Sequence, residues 1–206
     1  SEVMEKDIHW AKDLYGTLEA AGQTPVARPL AILNTAYATQ GVLIHVTGNV
    51  SKPINLIYRH SDTKSDAYIR SVIKVDTGAS VTILENGPVA ARCNMVMEVD
   101  VADNATVNHA RVQGRDHDRQ AVTHCFARLG HESVFKSFTL TVNGVMTRNE
   151  CVLELTGDDA KAHVAGAAVG DGNSFHHDDT VFVTHDAVNC ESRQVFKKVL
   201  RNGATG

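Results

Sequence analysis

Fifteen positions, His176 to Cys190, hold His176, His177, Asp178, Asp179, His185, Asp186 and Cys190, which are metal-ligand residue types. A tetrahedral metal site needs three or four such side chains converging on one point. Strand alternation decides whether these can. If 179 to 184 form a strand, Asp179, Val181 and Val183 share one face, which His185 continues. His176, Asp178, Thr180, Phe182 and Thr184 share the other. His176 and Asp178 can then meet, whereas Cys190 approaches His185 only across the turn of residues 186–189. His177 and Asp179 are read as exposed. The spacing imposes no convergent set, so solvated side chains at strand ends and coil corners are the expectation. No catalytic, cofactor-binding or metal residue is assigned. His176, Asp178, His185 and Cys190 are the weak metal candidates.

The other reactive residue types read the same way. Cys93, Cys125 and Cys151 sit in the strand-like runs RCNMVMEV, THCFARL and NECVLEL. Buried free cysteine behaves as a small apolar residue. Cys125 and Cys151 are 26 residues apart, close to one coil of the repeat described below, and are expected to stack in neighbouring coils. His109, His124 and His131 are scattered, with no nucleophile beside them. The patterns GxSxG, HExxH and GxxxxGK[ST] are absent. GAAVGDGN (166–173) lacks the flanking strand and helix of a dinucleotide site and reads as a long loop between coils. Asp100, Asp103, Asp116, Asp118, Asp158 and Asp159 could serve Ca²⁺-assisted polysaccharide cleavage, but their default is exposed turn acids.

Which elements position these residues? Residues 3 to about 21 carry Ile8, Ala11, Leu14, Tyr15 and Leu18 at helical spacing, with Gly22 at the stop. QTPVARP (23–29) is a linker, and residues 30–38 form a second short helix. Residues 1–41 are thus a helical N-terminal segment and linker. From residue 42 onward β-branched and polar residues alternate, punctuated by Gly, Asn and Asp, which means strands and turns. Small residues behind turns recur at Ala79, Ala105, Ser133, Ala160 and Ala187, in steps of 26, 28, 27 and 27. Val50, 29 residues before Ala79, extends the series. A near-constant step of this size signals a solenoid. Strands without a helix per repeat make it a parallel β-helix with two flattened sheets over 42–206. A β-sandwich is the competing architecture. Narrow coils suit a chain with 5% aromatic residues better.

Composition bounds the function. The chain has 206 residues, 43% of them apolar, and a net charge of −4. That balance argues against a nucleic-acid partner. No apolar run is long enough to span a membrane, and the N-terminal residues do not read as an export signal. Four cysteines without a CxxC pair indicate reduced thiols and a cytoplasmic location. Ser1 at one end and RNGATG at the other read as the ends of a central fragment, with the β-helix truncated at its C-terminus.

The segment His185-Asp-Ala-Val-Asn-Cys190-Glu-Ser192-Arg193-Gln194-Val-Phe-Lys197-Lys-Val-Leu200 resembles the pattern H-x-x-P-x-C-x-S-x-Q-x-x-K-x-x-L. That pattern belongs to the SufB/SufD family of iron–sulfur cluster assembly components, and fits the SufD branch better than SufB. His176-x-Asp178, the run from His9 to Leu18 and the run from Leu33 to Gly41 resemble the same family. Val188 stands where the pattern has proline. The resemblance implies a right-handed parallel β-helix and a non-catalytic scaffold subunit of the SUF complex. It implies a SufB-like partner through β-helix pairing, and a SufC-like ATPase bound through a C-terminal region. The complex handles the iron–sulfur cluster, and no cofactor is expected in this fragment. The rival readings are a carbohydrate-active β-helix enzyme, cued by the turn acids, and a direct metal-binding module. An unpaired sheet edge at the last coil would favour self-association.

Overall fold

A computed structural model describes residues 9–59, 64–87, 91–114 and 118–206. It contains two six-stranded parallel sheets. Sheet A holds β1 (Leu43–Val46), β3 (Asp66–Val75), β5 (Arg92–Val101), β7 (Gln120–Leu129), β9 (Met146–Leu155) and β11 (His176–His185). Sheet B holds β2 (Ile54–Ile57), β4 (Ser80–Asn86), β6 (Thr106–Gln113), β8 (Val134–Val142), β10 (Lys161–Asp171) and β12 (Glu191–Arg201). The chain lays one strand on each sheet per coil and pairs with the coil before it. That is a parallel β-helix; a sandwich would pair its strands antiparallel.

The corner from sheet A to sheet B explains the repeat. From β3 onward each such corner places a left-handed residue immediately before a small one. Gly78, Asn104, Glu132, Asp159 and Asn189 have φ of 70, 59, 50, 61 and 57°. Ala79, Ala105, Ser133, Ala160 and Cys190 follow them. The small residue turns inward where the chain bends, and the first four are essentially buried. Register gives the true steps: Ser80 pairs with Thr106, Thr106 with Val134, Val134 with Lys161 and Lys161 with Glu191, or 26, 28, 27 and 30 residues. The last anchor expected from sequence, Ala187, is therefore wrong, and Cys190 holds that place. The three extra residues lie between the starts of β10 and β11, ahead of the corner, and a constant step counted past them. Upstream, Asn49 pairs with Ser80, which sets Gly48 rather than Val50 level with Ala79.

The glycine-rich run also differs from expectation. Residues 166–171 are the second half of β10, not a loop between coils. A Cβ on Gly166 would lie 2.7 Å from the Phe196 ring, and one on Gly170 would strike Phe175. These glycines leave room for aromatic rings packed against a strand backbone.

Val, Ile, Leu, Ala and Cys from the inward faces form one core between the sheets, with Ile73, Ile83, Leu129, Phe135, Leu153 and Leu155 fully enclosed. Among the described residues, three short helices cover the outer face of sheet A: α1 (His9–Leu14), α2 (Thr17–Gly22) and α3 (Pro29–Tyr37). Leu14, Leu18 and Ala31 pack there on Val72, Val96, Phe126 and Val152. The single long helix expected from the periodicity is interrupted within the described residues. Gly16 is left-handed, with φ 78°. The break turns its N–H onto Glu98 Oε2 at 2.8 Å, and the Glu19 N–H reaches Glu98 Oε1 at 3.0 Å. A carboxylate of sheet A thus satisfies donors at the start of α2 that the helix itself leaves open.

Candidate functional site

The family-like segment builds the last corner. β11 ends at His185, residues 186–190 turn, and β12 begins at Glu191. His185 Nε2 lies 3.0 Å from Ser192 Oγ, clasping the turn. The Cys190 thiol donates to the Gly157 carbonyl at 3.3 Å, on the corner one coil earlier. Asp158 Oδ1 accepts the Val188 N–H at 2.9 Å. The corner is stacked on its predecessor by its own polar groups.

The four candidate ligands are held apart. His176 Nδ1 is 2.9 Å from Thr205 Oγ1. Asp178, on the same outward face, lies 3.6 Å from the Arg148 guanidinium. His185 and Cys190 have the separate partners just given. Among the described residues, no three His, Cys, Asp or Glu side chains form a group suited to a metal ion.

The pair read as exposed is the enclosed one. His177 and Asp179 face inward, as Val181 and Val183 do. His177 is 1% exposed, with Nε2 2.8 Å from Asp179 Oδ2. Lys198 Nζ stands 3.5 Å from the same carboxylate, and Asn149 Nδ2 donates to it at 3.4 Å. Burial alone would raise the Asp179 carboxyl. The bond and charge of His177, with Asn149 and Lys198, outweigh it and hold the group below its ordinary value. The alternation that placed Asp179 beside Val181 was the available signal, and it places His177 there too.

Asp179 ends a polar line across sheet A. Thr123 pairs in register with Asn149 and Asn149 with Asp179. Thr123 Oγ1 donates to Asn149 Oδ1 at 2.8 Å. Across the interior, sheet B contributes a second buried group around Glu85. This carboxylate accepts from Arg111 Nε at 2.7 Å and from Tyr58 Oη at 2.5 Å, and lies 2.8 Å from His109 Nε2. Burial would raise Glu85, but the Arg111 charge and the His109 contact hold it far below the carboxylate range. Tyr58 is pushed well up, first by burial and then by Glu85.

Cys125 and Cys151 are direct register partners, and the ladder continues to Met97 on one side and Val181 on the other. The hydrogen bond between the two cysteines, with burial, raises the Cys151 thiol well above its usual value. Burial raises Cys93 to about 11. Only thiolates attack or bind metal well, so at neutral pH the protonated thiols of Cys93 and Cys151 pack as apolar groups.

The scattered histidines and turn acids are likewise engaged in structure. His124 is buried 3.8 Å from Glu150, and His131 stands at the surface 3.9 Å from Glu132. Asp100 pairs with Arg128 at 3.0 Å, and Asp103 accepts the His131 N–H at 2.8 Å. Asp159 is the left-handed residue of its corner. Asp116 lies outside the described residues. No helix among the described residues is long and apolar enough to cross a membrane.

No curated protein matches this chain. Residues 58–206, which take in the strands from β3 to β12, match the family described as SUF system FeS cluster assembly, SufBD core domain, and the chain belongs to that family.

Proposed function

We propose that this protein is a SufD-like scaffold subunit of the SUF system, without catalysis of its own. In this reading a SufB-like subunit pairs with the β-helix, and a SufC-like ATPase is recruited through a region outside residues 1–206. The cluster is the cargo of the complex; no resident cofactor belongs to this chain. Family membership supplies the role in cluster assembly and a complex with other SUF components.

The observation that carries the finer reading is the fate of the C-x-S-R-Q-x-x-K segment. Cys190 and Ser192 hold a corner, and Arg193 to Lys197 run along β12. Its residues build a coil rather than gather a reactive centre.

The test is co-expression of the full-length tagged protein with the SufB and SufC homologues of the same organism. One copy of this chain should co-purify with a SufB-like subunit. Rescue of cluster maturation under iron limitation should follow in a strain lacking SufD, and not in one lacking SufB. Rescue of the SufB-deficient strain instead would overturn the SufD assignment while leaving the family intact.

A further inference from the structure

The outer face of sheet B has no covering layer among the described residues. Register sets its outward residues in rows across the strands. One row is Leu84, Ala110, Phe138, Ala165 and Val195. The next includes Val112, Leu140 and Ala167, and the one after it Val142, Val169 and Val199. Phe138, Val112, Val169, Val195 and Val199 are each 38–56% exposed. Phe138 stands between two alanines, which leaves a shallow hollow beside its ring lined by Ala110, Ala165 and the row before. Isolated exposed apolar residues need no explanation, but a contiguous patch of this kind marks an interaction surface.

Charge identifies the occupant. The row that borders the apolar band is Lys136, His163 and Arg193, with Lys161 beside it, and Lys197 and Arg201 lie along β12. Among the described residues no carboxylate lies within ion-pair distance of Lys136, Arg193 or Lys197; Glu191 meets His163 at 3.3 Å and stands opposite Lys161 in register, as Asp171 does opposite Arg201. This basic border sits on a chain whose net charge is −4. A second copy of the same face would bring like charges together, which disfavours a self-complementary dimer. Spacing suggests the shape. Neighbouring strands lie about 4.8 Å apart, and a helix advances about 5.4 Å per turn. A helix laid along a row can therefore set one side chain per turn near each strand. α2 and α3 cover sheet A in a comparable way.

We propose that the outer face of sheet B docks an acidic amphipathic helix of a partner protein. Aliphatic side chains sit on the Phe138 row, and carboxylates face Lys136, His163 and Arg193. The proposal stands apart from the SufD assignment, since a SufB-like chain could use the face equally well.

The test uses the full chain and three synthetic helical peptides with one leucine stripe. The first flanks the stripe with glutamate, the second with lysine, and the third scrambles the glutamate peptide. Fluorescence anisotropy should show binding of the glutamate peptide at least about tenfold tighter than either control. Amide NMR shifts should concentrate at β8, β10 and β12. Phe138→Asp should weaken that binding at least about tenfold while leaving the far-UV circular dichroism unchanged. The double reversal Lys136→Glu/Arg193→Glu should transfer preference to the lysine peptide. Equal binding of all three peptides, shifts on another face, or no binding of the glutamate peptide would overturn the proposal. So would a concentration-dependent dimer, by sedimentation, that Phe138→Asp abolishes, because the occupant would then be a second copy.

Discussion

The two outer faces of the solenoid solve opposite problems with the same strand period. On sheet A, β5 and β7 each bury seven consecutive residues, because the core takes one face and the helices take the other. On sheet B, β4 and β6 alternate buried with partly exposed residues, because only the inward face is covered. Covering sheet A brought charges inside with it. Arg70 and Glu98 pair at 2.9 Å, and Arg28 and Glu150 at 2.9 Å, all of them at most 7% exposed. Arg70 also lies 4.7 Å from the centre of the Tyr15 ring. α3 is tied by amides instead: Asn34 Nδ2 donates to the Ile69 and Asn94 carbonyls, and Asn94 Nδ2 to the Leu30 carbonyl at 2.7 Å. A sheet face buried under short helices is thus fixed by directed polar bonds as much as by apolar area. The bare face needs no such bonds.

The largest break in this contrast comes at Glu98. Its carboxylate accepts from the Gly16 and Glu19 N–H groups and from Arg70 Nη2. Glu98→Ala removes the nearer carboxylate from Arg70, leaving only Glu19 Oε2 at 3.8 Å, and opens the start of α2. Removing one member of a buried pair costs about 3–5 kcal/mol. Urea unfolding of the variant should show that loss, with protease cleavage first in the segment joining α1 to α2. A loss below about 1 kcal/mol would mean that the helices are held by apolar packing alone.

A smaller effect separates the faces by pH. Burial under the helices lowers the His124 imidazole to about 4, from an ordinary value of 6.5; the Glu150 charge opposes this without overcoming it. As pH falls through 6.5, the unfolded chain takes up a proton that the folded chain refuses until about pH 4. His124 therefore supplies stability above pH 6.5 that is lost between 6.5 and 4. At about 1.36 kcal/mol per pH unit, the loss by pH 4.5 is about 2–3 kcal/mol. His124→Gln should remove that part of the acid slope. Unfolding of the two proteins at pH 7.5 and 4.5 measures it, and parallel slopes would contradict a neutral, buried imidazole.

Much of this contrast was written in the sequence, and its limits are physical. Period-two alternation and the small residue behind each turn give the solenoid, since both recur from coil to coil. The corner count failed at Ala187 because register is set by the ladder, and a longer turn leaves no mark on residue type. Cys125 and Cys151 were readable as a ladder because no length change intervenes between them. His177 and Asp179 were misjudged because a charged type outweighed its position in the alternation. In a β-helix the inward face accepts a polar residue when neighbouring coils supply its partners. Gly166 and Gly170 looked like a loop because their reason, Phe196 and Phe175, lies in other segments. The helix break at Gly16 answers to Glu98, 82 residues away. None of these long-range partners is visible in a local window.

The smallest effect tests the bare face. Phe138 is 43% exposed, and its in-register neighbours are Ala110 and Ala165, which offer its ring little surface. Phe138→Ala should change unfolding free energy by about 0.5 kcal/mol or less, as surface substitutions generally do. Phe126, 1% exposed under α2, is the counterpart on sheet A, where such truncations cost about 3–5 kcal/mol. A loss above about 2 kcal/mol at Phe138 would show that something already covers sheet B in solution, and the contrast between the faces would collapse. A negligible loss would mean that the isolated fold gains almost nothing from this ring. Its position in the middle of an apolar row would then be explained by what docks there.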